Sequence, residues 1–270
     1  ETTAAPNDPL FSAQWALKNT GQNQGTAGID INYLPAREVT QGSSDIIVAV
    51  LDHGTQLDHP DLNVSSKSYD TETGRSPSQI WGNHGTACSG IISAKTNNNL
   101  GVAGIAPNCP VMSISNQLMG TSDAPQKRAD GFNWAWRNGA SVISNSWRSS
   151  TFSELLEDAI QSAMTNGRNG LGCVVTFSAG NYDSNTVGYP ARSLPDIIVI
   201  GALSLSGKRK SSTTIDNEGW WGSDYGTQLD IMAPGVLIYT TDRTGSVGYV
   251  SGDYMPNFNG TSSACPQVAG

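Results

Sequence analysis

An aspartate, a histidine and a serine in this chain each stand where a strand ends or a helix begins. Together they are the groups that nucleophilic acyl transfer requires. Asp52 closes the apolar run Ile46-Ile47-Val48-Ala49-Val50-Leu51 and is followed by His53-Gly54. His84 opens His84-Gly85-Thr86, which runs into a helical pattern through Ile91 and Ile92. Ser262 lies in Asn259-Gly260-Thr261-Ser262-Ser263-Ala264-Cys265-Pro266, at the expected mouth of a helix. A serine hydroxyl is a poor nucleophile until an imidazole takes its proton, and the imidazole needs a carboxylate to fix its tautomer. The chain has only three histidines, His53, His59 and His84. His53 adjoins Asp52, and adjacent strand residues face opposite sides. His59 precedes Pro60 in a segment read as a loop. If the three groups act together, His84 is the base. Taken singly, each reads as readily as structure, because Asp after a strand and Gly-Asn pairs commonly form turns.

Such residues need elements to hold them. Ile46–Leu51 is a continuous β-branched run of the kind buried on both faces of a sheet. Val111–Ser115, Val142–Trp147, Cys173–Ser178 and Asp196–Leu203 read the same way. Between them lie helical patterns, the clearest being Phe152, Leu155, Leu156, Ala159, Ile160, Ala163 and Met164 on one face. Thr151 with Glu154 predicts a capping box at its start. Pro266 falls close to the first turn of the last helix, where a missing N–H costs least. Alternating strands and helices predict a three-layer, doubly wound α/β fold with a mostly parallel sheet. Sites in such sheets lie at the carboxyl ends of strands, where Asp52 and the Ala179-Gly180-Asn181 segment fall.

Composition narrows the function classes. The 15 basic and 23 acidic residues give a net charge of −8, so there is no basic face of the kind nucleic acid needs. No stretch reaches the length of a membrane span. Charged residues are only 14 % of the chain. Ser, Thr, Asn and Gly take their place, which favours a secreted protein. Four cysteines without CxxC spacing argue against structural zinc and leave two disulfides or none, with Cys88–Cys109 a possible bridge by short separation.

The chain resembles a subtilisin-like serine protease (subtilase). The likeness rests on Val48-Ala49-Val50-Leu51-Asp52-His53-Gly54, His59-Pro60-Asp61-Leu62, His84-Gly85-Thr86-Ala87, Ser178-Ala179-Gly180-Asn181 and Gly260-Thr261-Ser262-Ser263-Ala264-Cys265-Pro266. It runs from about Asn7 to the last residue. The resemblance implies that Asp52 orients the base, His84 is general base and then acid, Ser262 is the nucleophile, and Asn181 donates to the oxyanion. It also implies a substrate cleft. There an extended polypeptide adds a strand beside the segment Val142–Trp147, with Ser146, Trp147, Ser178, Ala179, Gly180 and Gly188 around the primary pocket and a second edge at 120–124. A small residue at Gly188 leaves that pocket deep. Trp147 reads nearly as well as a core aromatic. His53, Ala87, Arg148 and Ser263 depart from the family's commonest residues, and Arg148 stands in the cleft where Gly is frequent.

The resemblance further implies a structural Ca²⁺ site of the kind found in thermitase- and kexin-like members. Asp8, Asp61 and Asn98 are its side-chain ligands, and Leu100 and Val102 its backbone ligands. Asn97 or Asn99 is the ligand if the loop is shifted by one residue. In the proteinase K branch a free cysteine sits where Cys88 does. The family is made with an inhibitory N-terminal propeptide. The expected activity is that of a secreted serine endopeptidase. Two alternatives stay open: a subtilase-type transpeptidase or macrocyclase, with the stretch 207–225 as a candidate shielding insertion, and a silent peptide-binding module. Lys208-Arg209-Lys210 in that stretch reads as a solvated loop. Residues 1–270 are expected to form one catalytic domain lacking its C-terminal end, since only eight residues follow Ser262.

Overall fold

The five β-branched runs become strands of one seven-stranded sheet, with small shifts at their ends. The computed structural model describes residues 4–270. After a short helix α1 (Tyr33–Val39), strand β1 (Ile47–Asp52) lies between β3 (Val111–Ser115) and β4 (Ala140–Asn145). With β2 (Tyr69–Asp70), β5 (Val174–Ser178), β6 (Ile198–Leu203) and β7 (Ile231–Pro234), the order is β2-β3-β1-β4-β5-β6-β7. All six pairings are parallel, with Val48 opposite Val111 and Ala49 opposite Ile143. The chain leaves β1 for β3 on one side and reaches β4 on the other. The carboxyl end of β1 is therefore the point where the winding reverses.

Alternation along β1 divides the interior in two. Ala49 and Leu51 join Met112, Ile114, Phe132, Leu156, Ile160 and Phe177 on one face. Val48 and Val50 join Ile91, Ile92, Ile200, Ala264 and Cys265 on the other. The first face is covered by α3 (Ala124–Arg137) and α4 (Glu154–Gly170). The second is covered by α2 (His84–Ser93) and α5 (Thr261–Ala269). This is the three-layer α/β arrangement expected.

Helix α2 lies inside the molecule and has an unusual sequence for that reason. Every residue from Gly85 to Ser93 is buried. A Cβ at Gly85 would collide with the Gly54 carbonyl, and one at Gly90 with the hydroxyls of Thr240 and Thr241. Those threonines belong to β8 (Ile238–Thr241), which pairs antiparallel with β9 (Tyr254–Phe258).

Several expectations are corrected. The N-cap of α4 is Ser153, whose Oγ accepts from the Leu156 N–H at 3.3 Å, not Thr151. Phe152 and Leu155 are therefore exposed, and the buried stripe starts at Leu156. All four cysteines are free and buried, so the Cys88–Cys109 bridge is not formed. Lys208-Arg209-Lys210 is not a solvated run: Lys210 is fully buried and faces Asp216 at 3.3 Å. Strand β4 is paired on both sides, so only the residues beyond Asn145 are free to take an added strand.

Candidate active site

Asp52 is the last residue of β1, His84 the first of α2, and Ser262 the second of α5. The three meet at the reversal point of the sheet. His84 Nδ1 lies 2.8 Å from Asp52 Oδ1 and 2.9 Å from Oδ2. An ionised carboxylate only accepts hydrogen bonds, so Nδ1 carries the hydrogen and Nε2 keeps its lone pair. The Asp52 side chain is 1 % exposed and that of His84 19 %. Burial pulls the His84 pKa down, but the Asp52 charge and hydrogen bond, together with Cys88, hold it well above the ordinary histidine value. The ring also packs edge-on against Phe258, with centroids 5.3 Å apart.

Ser262 Oγ donates to the Ser146 carbonyl at 3.3 Å, and among the described residues it makes no hydrogen bond to His84. Contacts of this kind tighten when substrate binds. Two donors beside it are unspent. The Ser262 N–H, at the start of α5, meets no acceptor among the described residues, as expected for a first-turn amide. Asn181 is held by its oxygen, which accepts from Thr261 N–H at 2.8 Å and Thr261 Oγ at 2.9 Å. Its Nδ2 therefore faces away, with no partner among the described residues.

A cavity of about 670 Å³ lies next to Asn181, bounded in part by Arg148, Tyr182, Gly188, Tyr189 and Asp224. Gly188 shares this cavity wall with the Arg148 side chain. A Cβ there would touch Arg148 Cβ at 3.4 Å and Cδ at 3.7 Å, because the Arg148 stem crosses the glycine and its guanidinium stacks on Tyr182 at 4.2 Å. Of the expected pocket residues, Ala179 and Gly188 are joined by a backbone hydrogen bond of 3.0 Å. Gly180 N–H donates to Thr261 Oγ at 3.2 Å, and Ser178 ends β5. Ser146 turns its hydroxyl inward to the Ser262 carbonyl at 3.1 Å. Trp147 belongs to the core: it is 6 % exposed and packs edge-on against Phe177 at 5.0 Å. Residues 120–123 form an irregular loop before α3 and pair with no strand.

A second cluster lies apart from these residues. Asp8 and Asp61, both buried, converge on the loop 96–102. Asp8 accepts from the N–H groups of Asn97 at 3.0 Å and Asn98 at 3.2 Å. Asp61 accepts from Asn98 Nδ2 at 2.6 Å and from Val102 N–H at 3.2 Å. Burial raises the Asp61 carboxyl to about 6 despite these donors. Neither aspartate has a Lys or Arg within ion-pair distance among the described residues. The Val102 carbonyl, on a fully buried residue, accepts no hydrogen bond among them either. Two buried carboxylates, an amide and an orphan carbonyl are hard oxygen donors that fit Ca²⁺. Asn98 is the loop asparagine whose side chain reaches Asp61. Leu100 supplies its N–H to Asn98 Oδ1 at 2.9 Å and leaves its carbonyl without a donor.

The Subtilase family of peptidases matches residues 43–270. The chain belongs to this family. It is 32 % identical to a calcium-dependent protease of Trichormus variabilis, covering 96 % of this chain and 43 % of that protein. It is 34 % identical to a thermophilic serine proteinase of a Bacillus species, over 99 % of this chain and 61 % of the other. With subtilisin E of Bacillus subtilis the identity is 35 %, over 84 % and 54 %. The chain thus spans about half the length of the curated relatives it matches. Among solved structures, a protease from Pseudoalteromonas arctica superposes with a TM-score of 0.77 at 26 % identity, covering 99 % of this chain and 85 % of that one. The serine protease of Aeromonas sobria shares the fold with a TM-score of 0.81 at 24 % identity, over 100 % and 55 %.

This subtilase also holds site residues that sequence reasoning missed or left without a place. Cys88 Sγ lies 3.7 Å from His84 Nδ1, 4.0 Å from Asp52 Oδ2 and 3.6 Å from the Ser262 carbonyl. Burial raises its thiol pKa, which keeps it neutral beside the carboxylate. Pro266 is not in the first turn of α5 but at its sixth position. It cannot donate to the carbonyl four residues back, which is that of Ser262. That carbonyl is taken instead by Ser146 Oγ and the Cys88 thiol. The signal in the sequence is the spacing of four residues from Ser262 to Pro266.

Proposed function

We propose that this subtilase is a serine endopeptidase working through an acyl-enzyme on Ser262, with residues 1–270 acting as its catalytic domain. The observation that carries the reading is the double contact of Asp52 with His84 Nδ1 beside Ser262, at the reversal point of the sheet. His84 Nε2 takes the Ser262 hydroxyl proton as Oγ attacks the peptide carbonyl carbon. The developing oxyanion sits between the Ser262 N–H and Asn181 Nδ2, the two unspent donors. His84 then gives its proton to the leaving amine as the C–N bond breaks. Water, deprotonated by His84, hydrolyses the ester and restores Ser262. Asp52 fixes the tautomer and stabilises the imidazolium throughout. The extended substrate lies along the segment after β4, Ser146 to Arg148, before Ser149 pairs with Tyr189, with Ser178, Ala179 and Gly180 opposite. Its primary side chain enters the cavity that Arg148 narrows.

Asp8, Asp61 and Asn98, with the carbonyls of Leu100 and Val102, would hold Ca²⁺. The ion would supply positive charge that ties the N-terminal segment to the loop 96–102. Secretion and release from an inhibitory N-terminal propeptide belong to the same reading. They rest on the family, and no described helix is long and apolar enough to cross a membrane.

The experiment is labelling with a fluorophosphonate, read by intact mass. A single adduct that disappears in Ser262→Ala is expected. An unlabelled folded protein, or an adduct surviving that substitution, overturns the reading.

A further inference from the structure

We propose that Asp224 is a positioning residue for Asn181, holding its side-chain amide at the oxyanion. The proposal rests on the serine-peptidase reading above and adds a residue that none of the motifs contains. Asp224 lies in the segment between β6 and β7 and is 1 % exposed. Its backbone N–H donates to the Gly180 carbonyl at 2.8 Å. Its Oδ1 accepts from the N–H of Tyr182 and from the N–H of Ser184, each at 2.9 Å. One residue thus grips the peptide immediately before Asn181 and the peptide immediately after it.

The grip extends on either side. Asp183 N–H donates to the Gly222 carbonyl at 2.9 Å, and Tyr225 N–H to the Ser184 carbonyl at 2.8 Å. Arg209 bonds both the Asp183 carboxylate at 2.5 Å and the Ser223 carbonyl at 2.6 Å, closing the two segments from outside. Gly180 makes room for the arrangement. Its φ is +118°, and a Cβ there would collide with Asp224 Oδ2.

A turn can be held far more cheaply than this. Asp224 Oδ2 is buried with no hydrogen-bond partner, and a buried carboxylate oxygen left unsatisfied is destabilising. Burial pushes the Asp224 carboxyl up, against the two amides and the charge of Arg148. Oxyanion stabilisation depends on a donor fixed before charge develops, because reorganising it during the reaction forfeits the gain. Thr261 holds the Asn181 oxygen, and Asp224 holds the backbone on which that side chain stands.

The test is kcat and KM on a chromogenic peptide substrate, with the fold checked by melting. Asp224→Ala is expected to lower kcat by about tenfold to a hundredfold with KM changed by no more than about twofold. Asp224→Asn keeps a carbonyl acceptor for both amides and is expected to retain kcat within about threefold. In Asn181→Ala the donor is already gone, so adding Asp224→Ala is expected to lower kcat by less than about threefold more. If Asp224→Ala does not fold, Asp224→Ser is read by the same criteria. An unchanged kcat, a loss expressed in KM, or losses that add fully to those of Asn181→Ala overturn the proposal. If instead Asn181→Ala is silent or Ser262→Ala still hydrolyses substrate, the underlying reading fails, and that outcome is distinct.

Discussion

Asp52 and Asp61 are the same residue type, equally buried, and less than ten positions apart in sequence, yet the molecule treats them in opposite ways. Asp52 meets an imidazole supplied by the chain, at 2.8 Å and 2.9 Å. Asp61 meets only neutral donors, two amides and the Tyr254 hydroxyl, and its carboxyl is raised to about 6. Burying a charge is expensive unless a partner comes with it. At Asp52 the partner is a group that can also carry a proton, which is the property the proposed mechanism uses. At Asp61 no Lys or Arg among the described residues supplies one, and the proposed Ca²⁺ would fill that place. Lys210 and Asp216 follow the first pattern with no chemistry attached, both fully buried at 3.3 Å.

Ser262→Ala should abolish turnover by about 10⁶-fold, the scale associated with subtilisin's own serine rather than one derived from this geometry. Steady-state assays with active-site titration check it. Asp52→Asn should lower kcat by about 10⁴-fold while leaving the fold intact. It should also move the acid limb of the pH–rate profile. His84 must be neutral to act as base, and its pKa is raised, so wild-type activity should fall as pH drops through a midpoint above the ordinary value of about 6.5. Removing the Asp52 charge should shift that midpoint downward. A wild-type profile flat from pH 5 to 8 would count against His84.

Lys210→Ala should destabilise by about 3–5 kcal/mol, because it leaves Asp216 buried and unpaired. Lys210→Ala combined with Asp216→Ala should lose less, as urea midpoints would show. Calcium removal by a chelator should lower stability by about 3–4 kcal/mol at ion concentrations of 100 to 1,000 times Kd. The effect should depend on pH with a definite sign. Without the ion, the folded Asp61 holds its proton up to about 6, above its unfolded value of about 4, so stability falls as pH rises through that window. With the ion, the carboxylate stays ionised and that loss is cancelled. The gap between the two melting temperatures should widen from pH 4 to 7, and Asp61→Asn should flatten it.

The sheet was legible in the sequence because β-branched runs buried on both faces leave a continuous signal. The positions of Asp52, His84, Asn181 and Ser262 were legible because each follows a strand or opens a helix. What could not be read depended on chain folding back from a distance. Lys210 looks solvated beside Lys208 and Arg209 until Asp216, Glu218 and Trp221 close over it. Asp224, in Gly-Ser-Asp-Tyr-Gly, looks like any turn former, and its hold on Tyr182 and Ser184 is invisible at that range. Trp147 carried two readings, and only packing against Phe177 chose between them. The Thr151–Glu154 pattern was a true capping spacing beaten by Ser153, which is nearer to the free amides.

Pro266 has a consequence beyond its own helix. A helix whose hydrogen bonds are all internal can rotate and slide as a unit without breaking any of them. By withholding one N–H, Pro266 obliges the Ser262 carbonyl to find donors outside, on the segment after β4 and on α2. Ser262 is thereby moored to α2, which carries His84, and to the segment after β4. Replacing the proline with a residue that has an N–H would complete the helix and slip that mooring, giving a better helix and a worse-aimed serine.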